Sequence, residues 1–227
     1  MSPAAVSDRV FAVLCEAIVS GGYAPGEKLP TQRALAADLG VNIGPVREAV
    51  KRLEQLRLVT VRHGDAMRVA DWRATSGLEA AAPLLFREDG FDRGALAALM
   101  EARRVMLAQS ARLAAGRRSD EQAAELEGLA SRIADAAGDP DAVQALDFAF
   151  FAELIDAAGN LVFSLVMNSI RHLYLENAAL FAALVERPEE LAPLYARAAR
   201  AISARKARSA ERAVEELAAR QEERVTA

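Results

Sequence analysis

The sequence predicts a mainly α protein in two parts: three short helices closed by a β-hairpin, then a larger all-helical bundle. Three observations carry this. Glycine- and proline-rich breaks cut the first 70 residues into short apolar-periodic runs. The segment "LVTVRHGDAMRV" (58–69) alternates on both sides of His63-Gly64-Asp65, the pattern of a two-stranded hairpin. Beyond Trp72 no run reads convincingly as a strand, and alanine-rich helical stretches follow one another to the end.

The first helix is expected over 7–20. Ser7 is its expected cap, and Val10, Val13, Leu14, Ala17 and Ile18 repeat at helical spacing. "GGYAPGEKLP" (21–30) ends it. A short second helix runs from a Thr31 cap to Asp38, with Leu35 facing inward, and Gly40 stops it. Asn42 is expected to cap a third helix, about 43–56. Pro45 falls in its first turn, where a missing N–H is harmless. Val46, Ala49, Val50, Leu53 and Leu56 form its inner stripe. Three helices and a hairpin make a winged helix-turn-helix, assigned to residues 1–71. The third helix is then the recognition helix, with Arg47, Lys51 and Arg52 on its polar side.

Residues 72–90 read as a connector and 91–227 as the bundle. Helical stretches are expected near 92–115, 119–137, 140–157, 160–186, 188–204 and 208–224. Gly116, Gly138-Asp139-Pro140, Gly159-Asn160 and Pro188 separate them.

Composition narrows the function. Hydrophobic residues make up 52% of the 227 and charged residues 26%, a globular balance. No run approaches the roughly 18–20 apolar residues of a membrane span, and the N-terminus lacks a secretory pattern. The single Cys15 fits a reducing cytoplasm. Net charge is -4, yet residues 1–70 hold nine Lys/Arg against seven Asp/Glu, so the polyanion-binding end is the first one. No Cys/His pair, Ser-His-Asp setting or phosphate loop is evident, so the chain is not expected to be an enzyme.

"GEKLPTQRALAADLGVNIGPVREAVKRLEQLRLVTVRHG" (26–64), followed by an all-helical second part, resembles the GntR family of bacterial transcription regulators. Within that family the chain is most similar to the FadR group, regulators of fatty-acid metabolism. "WRATSGLEAAAPLL" (72–85) and "LDFAFFAELIDAAGNLVFSLVMNSIRHLY" (146–174) carry that likeness. The resemblance implies a FadR-like fold and a homodimer on a double-stranded operator. It also implies an acyl-CoA effector in the second domain. DNA contacts would fall at Arg33, Asn42, Ile43, Gly44, Arg47, His63 and Gly64. The turn departs from the group, which has a Thr/Arg-rich run where this chain has Asn42-Ile43-Gly44-Pro45. Ile43 cannot hydrogen-bond guanine but can touch a thymine methyl, so a different operator is expected.

Many relatives with a helical second domain hold a metal through one Asp and three His. Here Phe151, Tyr195 and Arg220 or Gln221 stand at the histidine positions, beside Asp147. The whole chain has two histidines, so no metal cofactor is expected. Asp147 alone reads as a cap or an arginine partner, and His172 as a packed or half-exposed helix residue. The resemblance implies an acyl-CoA site at Arg103, Phe151, Met167, Tyr174, Phe181 and Tyr195, although Phe151, Met167 and Phe181 read equally well as bundle core. The last stretch, "LAARQEERVTA" (217–227), lacks the Gly, Ser and Trp that hold CoA in FadR; Arg220 and Arg224 are left to meet phosphates, but read better as solvated helix charges. The alternative is a GntR repressor of another catabolic pathway that senses a different small metabolite.

Overall fold

The computed structural model describes residues 3–61, 66–81, 85–87 and 90–226. His63 and Gly64 lie outside the described residues, as does the side chain of His172. The chain divides into two compact units, Met1–Asp92 and Arg93–Ala227.

In the first unit α1 (Pro3–Val19) begins earlier than the sequence suggested. Ser7 is a buried residue inside the helix, not its cap. Pro3 is suited to the first helical position and Ala4 and Ala5 extend the turn, so the helix starts there. α2 (Gln32–Asp38) is capped by Thr31, whose hydroxyl accepts from the Ala34 N–H at 3.2 Å. Gly40 follows with φ +63°, a left-handed conformation that a side chain would strain. α3 (Ile43–Gln55) buries Val46, Ala49, Val50 and Leu53. These share a core with Val10, Leu14 and Ile18 of α1. Asn42 precedes α3 but makes no side-chain cap bond, contrary to expectation.

The hairpin is β1 (Val59–Thr60) against β2 (Arg68–Val69), antiparallel, with Val59 opposite Val69 and Thr60 opposite Arg68. The supposed breaker segment 26–29 lies along the other edge of β2. Gly26 N–H donates to Val69 O at 2.8 Å, Val69 N–H to Glu27 O at 3.0 Å, and Leu29 N–H to Met67 O at 2.8 Å. Four residues between prolines show no periodicity, so sequence pattern could not reveal this pairing. One turn of helix, α4 (Trp72–Thr75), follows. Trp72 packs on the same core, and Ser76 Oγ donates to Leu56 O at 2.7 Å. A second small ladder, β3 (Phe86–Arg87) against β4 (Gly90–Phe91), corrects the expectation of no strand beyond Trp72. Two-residue strands are too short to alternate legibly.

The second unit is a helical bundle. α5 (Arg93–Arg117) packs against α7 (Pro140–Ala158) and α11 (Ala207–Thr226). α10 (Pro188–Ser203) packs on α11 and on α6 (Asp120–Asp135), which also meets α7. Buried alanines line the contacts: Ala108, Ala111, Ala114 and Ala115 on α5, Ala210, Ala213 and Ala218 on α11. Small side chains let the helix axes approach closely without voids. Caps set the ends. Ser119 and Gln122 form a reciprocal capping box, and Asp139 accepts from Ala142 N–H at 3.1 Å with Pro140 at the first turn. The stretch expected as one helix over 160–186 is broken: α8 (Leu161–Glu176) ends at Asn177, then α9 (Ala178–Phe181) and a 3-10 turn, Ala182–Val185, follow. Among the described residues no helix is long and apolar enough to cross a membrane.

Candidate nucleic-acid interface and buried ligand site

The apolar stripe of α3 fixes which side chains of that helix face water. With Val46, Ala49, Val50 and Leu53 against α1, the residues between them, Arg47, Glu48 and Lys51, are exposed. Arg33, at the start of α2, is exposed as well. Neither Arg33 nor Arg47 has a hydrogen-bond or ion-pair partner among the described residues. The other cations of α3 are committed within the unit. Lys51 Nζ meets Glu48 at 2.8 Å. Arg52 meets Asp8 at 2.6 Å and stacks over the Phe11 ring, 4.1 Å from its centroid. The sequence groups Lys51 and Arg52 with Arg47; the structure separates them by what they already touch.

Asn42 and Gly44 are exposed and Ile43 is half-buried at the N-terminus of α3. A methyl group added at Gly44 would meet nothing within 4 Å, so the glycine leaves open surface rather than filling a contact. The uncapped N–H groups of this helix end and two uncommitted guanidinium groups suit a phosphate backbone.

The bundle brings together a different kind of site. α5 supplies Arg103, α7 Asp147 and Phe151, α10 Tyr195, and α11 Gln221. Asp147, Tyr195 and Gln221 are at most 2% exposed. The Tyr195 hydroxyl donates to Asp147 Oδ1. The Gln221 amide donates to the same Oδ1 at 2.7 Å and lies 2.9 Å from Tyr195 Oη. Arg103 donates to Gln221 Oε1 at 2.9 Å and sits over the Phe151 ring, 4.8 Å from its centroid. Phe150 meets Tyr195 edge-on at 5.1 Å. The polar groups therefore satisfy one another inside an aromatic wall, as buried polar groups must.

Electrostatics follow from that burial. Loss of water pushes the Asp147 carboxyl above its usual range, opposed by the Arg103 charge and by hydrogen bonds from Tyr195 and Gln221. Tyr195 is raised well above the ordinary tyrosine value, first by burial and then by the Asp147 charge.

Tyr174 and Phe181 form a neighbouring cluster. Their rings stack at 5.3 Å, and Phe148 lies 5.5 Å from Tyr174. The Tyr174 hydroxyl is buried without a hydrogen bond among the described residues. Gln144, whose side chain lies close enough to lower that hydroxyl somewhat, gives its amide to Ala178 O at 2.8 Å. Burial, and then the charge of Asp147, push the Tyr174 hydroxyl up to about 12. Met167 is half-buried on α8, outside the hydrogen bonds and ring contacts that define both clusters. Thus Arg103, Phe151 and Tyr195 converge around Asp147, and Tyr174 and Phe181 stand together beside them.

Asp147 as a central acceptor and Gln221 as a bridge were not among the site residues read from sequence. The available signal was a lone aspartate inside the apolar run Leu146–Phe151, too apolar all round to leave it in water. Arg220, the other candidate at that position, is exposed and pairs with Glu223 at 3.2 Å. A phenyl, a phenol, an amide and one carboxylate do not fit a transition metal of the Asp/His type, and Asp147 Oδ1 is already engaged by two donors. Among the described residues no three His, Cys, Asp or Glu side chains gather.

Residues 6–69 match the model of "Bacterial regulatory proteins, gntR family", and residues 98–220 match the FCD domain. The chain is 37% identical over 169 residues to the HTH-type transcriptional regulator Mce2R of Mycobacterium tuberculosis, across 74% of this chain and 70% of that one. It is 31% identical over 176 residues to the "Fatty acid metabolism regulator protein" of Yersinia pestis, across 76% and 70%. Among solved structures, Streptococcus agalactiae GntR aligns with TM-score 0.52 and 25% identity, covering 96% of this chain and 99% of that one. A Listeria monocytogenes structure described as Lar, which controls the agr system, aligns with TM-score 0.58 at 17% identity, over 96% and 95%, and supports the fold alone.

Proposed function

Because the chain belongs to the GntR family of transcriptional regulators and joins its helix-turn-helix to an FCD domain, we propose that it regulates fatty-acid metabolism, with an acyl-CoA-type effector held in the bundle. The DNA contacts assigned to it are Arg33, Asn42, Ile43, Gly44 and Arg47, with the His63-Gly64 wing. In this reading it acts as a homodimer on a two-fold operator in the cytoplasm. The effector changes DNA affinity because it binds one of two conformational states better than the other.

The single observation that carries the ligand reading is the buried hydroxyl of Tyr174, which lacks a hydrogen bond of ordinary geometry among the described residues, set among aromatic rings beside the Arg103–Gln221–Asp147–Tyr195 chain. A buried hydroxyl without a partner costs about 1–3 kcal/mol. A thioester or amide oxygen arriving there would remove that penalty, while Phe148, Phe151 and Phe181 supply apolar lining.

One observation favours a different effector. Arg224 donates to Glu186 O and pairs with Glu190 at 2.7 Å, and Arg220 pairs with Glu223. The two arginines nearest the C-terminus are therefore occupied, and a small carboxylate or apolar metabolite needs no CoA phosphate partner.

The test is a thermal-shift titration with long-chain acyl-CoA, free CoA and the matching fatty acid, with and without EDTA. Acyl-CoA should raise Tm in proportion to ln(1 + [L]/Kd), free CoA should not, and EDTA should change nothing. In Tyr174→Phe the acyl-CoA shift should fall while the unliganded Tm stays within a degree or two of wild type. No shift with any acyl compound makes the different-effector reading the surviving one.

A further inference from the structure

The first unit occupies several of its cations with its own groups. Lys51 meets Glu48 and Arg52 meets Asp8. Arg57 donates to Thr75 O at 3.0 Å, Arg68 to Gly26 O at 3.0 Å, and Arg73 lies over the Trp72 ring, 4.2 Å from its centroid. Arg9 of α1 is different. It is exposed and, like Arg33 and Arg47, has no hydrogen-bond or ion-pair partner among the described residues. The acid beside it in sequence, Asp8, is already paired with Arg52. Arg9 also has a defined setting. It lines an open groove of about 790 Å³ together with Ala36, Ala37 and Gly40, and with Asn42 and Pro45 from the start of α3. Small residues keep that groove open: a methyl group added at Gly40 would meet nothing within 4 Å, and Ala37 is exposed.

We propose that the DNA-binding surface extends from α3 onto α1, with Arg9 gripping a backbone phosphate of the strand that flanks the inserted end of α3. The inference rests on the DNA contacts assigned above, none of which lies on α1, and adds a further positioning residue to them. A recognition helix that enters the major groove by its N-terminal end has a sugar–phosphate backbone on either side of it. Groups standing beside its first turn therefore meet phosphate, whereas groups on the turn itself meet base edges. Arg9 stands beside that turn, because it shares a groove with Asn42 and Pro45 while belonging to another helix. A guanidinium can hold two phosphate oxygens at once. One that is not spent on a carboxylate gains the full release of counterions on binding. Asp8, turned to Arg52, leaves Arg9 in that condition.

Fluorescence anisotropy of the full chain is the test, on a duplex that wild type selects from a random-sequence pool and on a mixed-sequence duplex of the same length. Arg9→Ala should weaken binding to both by roughly three- to tenfold at about 0.15 M salt, and lower the slope of log K against log salt by about one. Arg9→Lys keeps the charge and should recover most of that slope. The order of preferred sites should stay as in wild type, since a phosphate contact carries no sequence information. Ala37→Glu sets a carboxylate in the same groove and should weaken binding to both duplexes as well. It decides the matter if circular dichroism shows that Arg9→Ala has lost helix content. A folded Arg9→Ala or Ala37→Glu chain with the affinity and salt slope of wild type overturns the proposal and leaves the α3 contacts standing. A changed order of preferred sites in Arg9→Ala makes Arg9 a reader of bases and overturns the phosphate assignment. A wild-type chain that selects no duplex overturns the α3 contacts together with this one.

Discussion

The two units treat charge in opposite ways. On the N-terminal unit Arg33 and Arg47 are exposed and have no partner among the described residues, while their neighbours Lys51 and Arg52 are tied down. In the bundle, Asp147, Tyr195 and Gln221 are buried and each is a partner of another, with Arg103 at the edge of the chain. The contrast follows from what each surface must meet. Phosphate binding gains from releasing counterions, which needs a cation not already spent on a carboxylate. A site in low dielectric tolerates polar groups only when they are satisfied, so its side chains hold one another until a ligand arrives. Substitutions should therefore move binding without stability in the first unit, and stability first of all in the second.

The largest expected effect tests the buried side. Tyr195→Ala removes a fully buried ring and strips Asp147 of one donor, and should lower stability by about 3–5 kcal/mol in urea unfolding. A loss below about 1 kcal/mol would mean that the network is not the fastening it resembles. Next comes the exposed side. Arg47→Ala should weaken specific operator binding by about 1–3 kcal/mol while stability stays within about 0.5 kcal/mol. A change in affinity within about 0.3 kcal/mol would remove Arg47 from base or phosphate contact, and a large loss of stability would erase the contrast between the units.

The smallest effect sharpens the electrostatics. Burial raises Asp147 above the ordinary aspartate value of 3.8. A carboxyl with a higher value folded than unfolded binds more protons when folded, so stability falls as pH rises through that interval and is recovered as pH drops. Asp147→Asn should flatten this component. The difference in Tm between wild type and Asp147→Asn, followed from pH 7 downward, should shift in favour of wild type. A difference that stays constant with pH would show that Arg103, Tyr195 and Gln221 offset the burial completely.

Much of the DNA-binding unit was legible because its signals are local. Thr31 before Gln32, Gly40 in a left-handed turn and Pro45 in the first turn of α3 each act on a few neighbouring residues. Its errors were local too: the Ser7 cap lost to Pro3, and Asn42 stayed uncapped. The long-range features were not legible. The pairing of 26–29 with β2, the short ladder at 86–91 and the break of the expected 160–186 helix at Asn177 all depend on partners distant in sequence or on segments too brief for periodicity.

By itself the sequence determined the family, the two-part architecture and an inventory of two histidines, because these rest on residue type and on spacing along one chain. Only the tertiary structure decided that Gln221 rather than Arg220 reaches Asp147, that Arg52 is committed to Asp8 while Arg47 is not, and that Arg9 shares a groove with Asn42. Each of these depends on which way a helix is rotated about its axis, and that rotation is set by packing against helices as far as 118 residues away in the chain.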